Sequence, residues 1–273
     1  MTQARPMRWK PTPVIKASIW LHGVVGISFI VDPTSAFLWL AILAGNHGIL
    51  TIGGLLPKAK LLGPNITCLP QAAIAKRQVA LTFDDGPDPV VTPQILDILE
   101  KHQAKATFFC IGHRAENHPD LIKRMVNQGH QVENHSYSHH TTFALRGTKG
   151  ITREITRAQE ILNELSGRAP RYFRPIAGIR NPLLDPVLSK LGMKLVSWSH
   201  RGFDTRFNSP NRLYRCLTKR LSAGHIILLH DGNSARTQDD VAVSVACLPN
   251  VLKKISDAGL ITVTLDEAFQ EPT

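Results

Sequence analysis

Apolar positions divide the chain into two unlike parts. Residues 14–31 and 35–56 form two nearly unbroken apolar runs, and Asp32-Pro33-Thr34 between them is a turn signal. As helices the runs would span roughly 27 and 33 Å, close to the thickness of a bilayer core. His22, Asn46 and His47 interrupt them, and Gly53-Gly54 weakens the end of the second. Lys16 can snorkel to the interface, where Trp9, Trp20 and Trp39 would serve as anchors. The pattern predicts two transmembrane helices over residues 14–56, preceded by a basic tail, residues 1–13. Three readings compete with it. A cleaved signal peptide is disfavoured because the apolar region continues through a second segment. The others are a buried helical pair in a soluble protein, and a single span with the other segment lying in the interface.

Residues 57–78 carry Pro57, Gly63-Pro64-Asn65 and Pro70 and read as a linker. From Gln78 the pattern becomes an alternation of short apolar runs and amphipathic stretches. It predicts strands at 79–83, 106–111, 131–134, 171–174, 195–199, 226–230 and 261–265. Helices are expected at 92–102, 119–128, 152–165, 183–191, 212–222 and 241–258, the last interrupted near Pro249. Repeated strand–helix units imply an α/β domain over residues 79–273 with a parallel sheet, and about seven units suit a closed or incomplete (β/α) barrel. Such barrels present their chemistry at the C-terminal ends of the strands.

Charge and cysteine refine this picture. The net charge is +11; residues 1–60 hold six basic residues and one acid, and a second basic cluster comprises Arg201, Arg206, Arg212, Arg215, Lys219 and Arg220. The turn at Asp32 carries no Lys or Arg, whereas both flanks of the apolar pair are basic. The positive-inside rule then places both ends in the cytoplasm: a multi-pass protein of the cell inner membrane, its large domain facing the cytoplasm. No recognition motif or run of stacking aromatics supports a nucleic-acid partner, and the membrane flanks account for much of the charge. Cys68, Cys110, Cys216 and Cys247 form no Cys-x-x-Cys pair; they read as buried free thiols, which leans toward a reducing compartment.

The ionisable residues fall at the predicted strand ends. Asp84-Asp85 follow the first strand; adjacent carboxylates repel unless a cation offsets them, so one can bind a metal while its neighbour stays free as a base. His135 and His139, spaced i and i+4, would present both rings to one side on a helical turn and suit a zinc-like ion. Two His and one Asp leave coordination positions open, as in catalytic sites. Arg174, Asp204 and His230 end later strands or follow them. Singly, each of these motifs is as easily a polar surface turn.

Together, Thr82-Phe83-Asp84-Asp85-Gly86-Pro87 and His135-Ser136-Tyr137-Ser138-His139 resemble the first two motifs of NodB-type polysaccharide deacetylases, carbohydrate esterase family four. The resemblance covers residues 78–268 and implies a distorted (β/α) barrel that removes acyl groups from amino sugars. It implies a divalent cofactor, Zn²⁺ or an ion such as Co²⁺, Ni²⁺ or Mn²⁺. By position it makes Asp84 the general base that activates water, and Asp85, His135 and His139 the metal ligands. Arg174 orients the base, Asp204 orients the catalytic histidine, and His230 is the general acid. Pro175, Ala177 and Trp198 fall in the substrate-binding motifs. This chain departs from the pattern at Ala177, where an aromatic residue is usual, at Arg201, where an aspartate is usual, and at Thr205, which replaces a tryptophan. Those departures count against long polymeric chitin or peptidoglycan, and the membrane segment with the basic run Arg201–Arg220 points to a membrane-borne saccharide such as a glycolipid or polyprenyl-linked sugar phosphate, bearing acetyl or formyl. The alternatives are a catalytically inactive metal- or sugar-binding module and a deacetylase of polymeric chitin or peptidoglycan.

Overall fold

The computed structural model describes residues 6–270. Residues 1–5 of the basic tail, Arg5 among them, and residues 271–273 of the large domain lie outside these. The two apolar runs form helices α1 (Pro13–Val31) and α2 (Ala36–Leu55), joined by a 3-10 turn, Pro33–Ser35. Thr12 caps α1, its Oγ1 accepting from the Ile15 amide at 3.3 Å. Each helix is long and apolar enough to cross a bilayer. Their few polar groups meet: Asn46 donates to Ser18 Oγ at 2.9 Å, and the His22 and His47 rings approach at 3.4 Å. Much of the remaining surface is apolar and uncovered, with Trp20 77%, Ile30 84% and Phe37 86% exposed.

The large domain begins with a short helix, α3 (Gln71–Ala75), and continues β1 (Gln78–Asp84), α4 (Val91–Lys101), β2 (Thr107–Cys110), α5 (Gly112–Asn117), α6 (Pro119–Asn127), β3 (Gln131–Asn134) and α7 (Thr148–Ser166). The second half runs β4 (Tyr172–Phe173), α8 (Leu184–Leu191), β5 (Lys194–Leu195), β6 (His200–Arg201), α9 (Pro210–Thr218), β7 (Ile226–His230), α10 (Val243–Asp257), β8 (Ile261–Val263) and α11 (Leu265–Phe269). Every strand pairing is parallel, in the order β5-β4-β3-β2-β1-β7-β6, with β8 against the start of β1. The sheet is therefore a half-barrel, open between β5 and β6. Strands β1 and β7 are apolar without alternation because helices cover the sheet: Val79, Ala80, Leu81, Phe83 and Ile226, Ile227, Leu229 are wholly buried. The stripes Ile95, Leu96 and Leu99 of α4 and Val251 and Ile255 of α10 belong to the same core.

Several expected elements are corrected. The strand expected at 171–174 is paired only over Tyr172–Phe173, and that at 195–199 only over Lys194–Leu195. The segment read as a linker explains the second. Ile66 bridges Val196, accepting from the Ser197 amide at 2.8 Å, and Cys68 bridges His225, so residues 66–69 fill the gap in the barrel. Helix α9 starts at Pro210 under a Ser209 cap. Helix α10 runs unbroken through Pro249. Burial of Cys247, Leu248, Val251, Leu252 and Ile255 outweighs the roughly 3 kcal/mol an interior proline costs. Cys110 and Cys247 are buried thiols as expected, but Cys68 and Cys216 are exposed.

The apolar helices join the domain at the rim where strands end. Leu50, Gly53 and Gly54 of α2 are buried, and the Gly54 carbonyl accepts from the amide of Arg180, which follows β4. Pro57 O accepts from Ser197 Oγ at 2.7 Å, and Trp9 Nε1 donates to Asp185 at 2.9 Å.

Candidate active site

Strand order determines which residues can meet. β1 lies between β2 and β7, so its last residue, Asp84, pairs in register with His230, the last residue of β7. β3 lies one strand beyond β2, and its end delivers His135; β4, next to β3, delivers Arg174. A cavity of about 230 Å³ opens at these ends, lined by Asp84, Asp85, His135, His139, Trp198 and His230, with Ala177, Arg201, Thr205 and Asn233 among the other residues of its wall.

Asp85 takes a left-handed backbone (φ 74°), which turns its side chain away from that of Asp84. Its Oδ1 lies 3.2 Å from His135 Nε2 and 3.0 Å from His139 Nε2. His135 Nδ1 sits 2.7 Å from the Arg174 carbonyl, an acceptor, so the proton belongs on Nδ1 and the Nε2 lone pair is free for a cation. The three ligand atoms lie within 4.8 Å of one another, and Asp85 and His135 are buried. Donor type, convergence and tautomer all fit a divalent ion. The pair does not sit on a helical turn, as its spacing suggested. Residues 135–140 are a loop, and left-handed backbones at Ser136 (φ 67°) and His139 (φ 50°) bring the rings together. Contacts from two helices hold the loop: the amides of Gly112 and His113 on α5 donate to the Ser136 and Tyr137 carbonyls at 2.9 and 3.1 Å, and the buried Glu154 carboxylate on α7 accepts from Ser138 N at 2.9 Å and from its hydroxyl at 2.8 Å.

Asp84 is held differently. Arg174 Nη1 donates to its Oδ1 at 2.6 Å and to Thr82 Oγ1 at 2.8 Å, while Nη2 donates to the Ser197 carbonyl at 3.0 Å. The guanidinium is fully buried, 4.0 Å from the Phe109 ring centroid. Among the described residues, no side chain donates to Asp84 Oδ2. Asp204, also fully buried, accepts from His230 Nδ1 at 2.8 Å and from the His230 amide at 2.7 Å, leaving Nε2 for the cavity. Burial alone would lower the His230 pKa; the Asp204 carboxylate beside it, with Asp85 and Asp84 further off, raises it to about 9.

Of the expected site residues, Asp84, Asp85, His135, His139, His230, Trp198 and Ala177 line the cavity. Arg174 and Asp204 stand outside its wall, in contact with Asp84 and His230. Pro175 is buried ahead of the 3-10 turn Ile176–Gly178 and is not among the residues that line the cavity. Asn233 and Arg114 escaped the sequence reading. Asn233 donates to Asp85 Oδ2 at 3.0 Å; its position after His230-Asp231-Gly232, in a turn at a strand end, was the available signal. Arg114 Nη1 donates to the Asp85 carbonyl at 2.8 Å. Asp231, pushed up to about 7 by burial, accepts from Thr92 at 2.7 Å.

Known proteins share this fold. The polysaccharide deacetylase family model matches residues 72–196. A peptidoglycan-N-acetylglucosamine deacetylase of Bacillus cereus is 36% identical over 197 residues, which cover 71% of this chain and 69% of that protein. A chitooligosaccharide deacetylase of Sinorhizobium fredii is 33% identical, over 73% of this chain and 95% of that one. Among solved structures, a peptidoglycan N-acetylglucosamine deacetylase in complex with a naphthalenyl-substituted N-oxidanyl-benzamide superposes with a TM-score of 0.67, at 33% identity, over 76% of this chain and 94% of that chain. In sequence and in fold alike, this chain belongs to the polysaccharide deacetylase family of hydrolases.

Proposed function

We propose that the chain hydrolyses the N-acyl amide, acetyl or formyl, of an amino sugar, with a divalent ion held by Asp85, His135 and His139. The observation that carries this reading is the convergence of that ligand set with Asp84 and His230 on one cavity, the two proton-transfer groups each held from behind by a buried partner of opposite charge. A bound ion such as Zn²⁺ would polarise the acyl carbonyl and bring the pKa of water toward ~7. The protein's own groups do the rest. Asp84, held by Arg174, takes a proton from the attacking water, whose oxygen bonds to the acyl carbon. As the carbon–nitrogen bond breaks, His230 gives its Nε2 proton to the departing nitrogen. The products are a free carboxylic acid and a free amine on the sugar. Asp204 fixes the required tautomer.

The relatives named above are deacetylases of peptidoglycan N-acetylglucosamine and of chitooligosaccharides. An N-acylated glucosamine-type sugar is the unit we assign to this cavity too. Ala177, Arg201 and Thr205 give the wall a smaller and more cationic character than the family pattern, which favours a short, anionic, membrane-borne saccharide over a long polymer. The basic flanks of two uncovered apolar helices support anchoring in the inner membrane, with the cavity on the cytoplasmic side.

Asp84→Asn on the full chain is the test. The variant should retain about one divalent ion per chain by metal analysis and lose roughly 10²–10⁴-fold in turnover of an N-acetylglucosamine derivative. Unchanged turnover would overturn the assigned base, and a chain that takes up no ion would overturn the ligand set.

A further inference from the structure

The catalytic cavity has a larger neighbour. A groove of about 710 Å³ is lined by Leu56, Pro57 and Ala59, where the chain leaves α2, and across from them by His200, Phe203 and Cys216. Trp198 and Arg201 belong to the walls of both spaces, so the two meet at those residues. The groove falls within the roughly 300–1,000 Å³ of built small-molecule sites.

Two features select its occupant. The first is apolarity combined with position. No acid lines the groove, one wall is the end of an apolar helix, and Leu55 and Leu56 beside it are 55% and 54% exposed. A hydrocarbon chain leaving a bilayer along α2 would reach this wall without crossing water. The second is charge. The Arg201 guanidinium lies 5.2 Å from the Trp198 ring centroid and 4.9 Å from that of Phe203. Among the described residues it has no hydrogen bond or ion pair from its side chain, and its Nε is buried without a partner. A guanidinium beside two aromatic rings, its donors unused, at the junction of a polar cavity and an apolar groove suits a phosphate oxygen. Lys58, another residue of the groove wall, adds positive charge.

We propose that this groove holds the hydrocarbon chain of a lipid-linked amino sugar, with the phosphate or diphosphate on Arg201 and the sugar in the catalytic cavity. The assignment rests on the deacylase reading for the sugar alone; the lipid-phosphate site can be tested without turnover.

Cys216 is an exposed thiol in the groove and Cys68 an exposed thiol outside it, which supplies a probe and an internal control. In full-length protein embedded in phosphatidylcholine nanodiscs, maleimide labelling of both thiols is followed by mass spectrometry. Farnesyl phosphate should slow labelling of Cys216 and leave Cys68 unchanged. Farnesol should need about tenfold more to do the same, the worth of one charge-assisted contact, and Arg201→Ala should erase that difference. The proposal is overturned if farnesyl phosphate leaves Cys216 labelling unchanged, or if farnesol protects equally well. Protection by a chitooligosaccharide instead, or by phosphatidylglycerol at equal potency, overturns it too, the first assigning the groove to polymer and the second to bulk lipid. Protection by farnesyl phosphate in a protein that proves unable to deacylate would sink the catalytic reading and leave this one standing.

Discussion

A guanidinium with no access to water needs its charge and its donors answered by the protein, and Arg174 meets that need with one carboxylate, a hydroxyl, carbonyls and an aromatic face. Asp84 depends on it equally, being buried with no other charged partner in contact. Arg174→Met should therefore cost about 3–5 kcal/mol in urea unfolding, because it strands a buried carboxylate. Combining it with Asp84→Asn should recover most of that loss; additive losses would show that the pair is not coupled. His230 makes a second prediction, on pH. Its pKa is raised to about 9, so it carries the proton it must donate at neutral pH and loses it as pH climbs through that value. Activity should fall on the alkaline side, at or below about 9, since a cation on Asp85 would offset part of the upward pull. The pair's contribution to stability has the same sign: it is complete below the ordinary histidine value and fades as pH rises to about 9. Asp204→Asn removes the charge that raises His230, so the alkaline limb of kcat should move to lower pH. A profile that keeps its limb would refute this role for Asp204.

At the scale of elements, long apolar runs were legible and short strands were not. β1 and β7 are buried on both faces, and their runs stood out; β4, β5 and β6 are two residues each, and a remote segment at Ile66 decides where β5 ends. The ligand residues were legible as residue types, but their geometry was not. Spacing alone suggested a helical turn, whereas Ser136 and His139 adopt left-handed backbones that their identities do not announce. The stability of that loop must come from elsewhere, and Glu154 supplies part of it from α7 through the amide and hydroxyl of Ser138, beside the backbone contacts from α5. Glu154→Ala should thus weaken metal binding by roughly 10–100-fold, as loss of a supporting contact does, with helical content by circular dichroism unchanged. Equal affinity in the variant would mean that the contacts from α5 suffice to hold the loop.

At the scale of the whole molecule, the two apolar helices are joined to the domain rather than tethered beside it. Trp9 reaches Asp185, Gly54 is capped by the Arg180 amide, and residues 66–69 close the barrel between β5 and β6. The contacts of Gly54 and Pro57 lie on the side where the strands end, so the site opens toward the face from which the helices emerge. If those helices lie in a bilayer, the cavity lies near its surface, and a substrate held in the membrane meets the site without leaving it. Orientation then decides which leaflet supplies the substrate. The only charge in the turn is Asp32, whereas Arg8 and Lys10 precede α1 and Lys58 and Lys60 follow α2, the asymmetry on which the proposed cytoplasmic orientation rests. Alkaline phosphatase fused after Thr273 of the full chain should be inactive in intact cells, and a fluorescent protein that matures only in the cytoplasm, fused there, should glow. The same phosphatase inserted at Thr34 should be active. The reverse pattern would move the domain to the outer face, where the lipid-linked sugars it could reach are those already carried across the membrane.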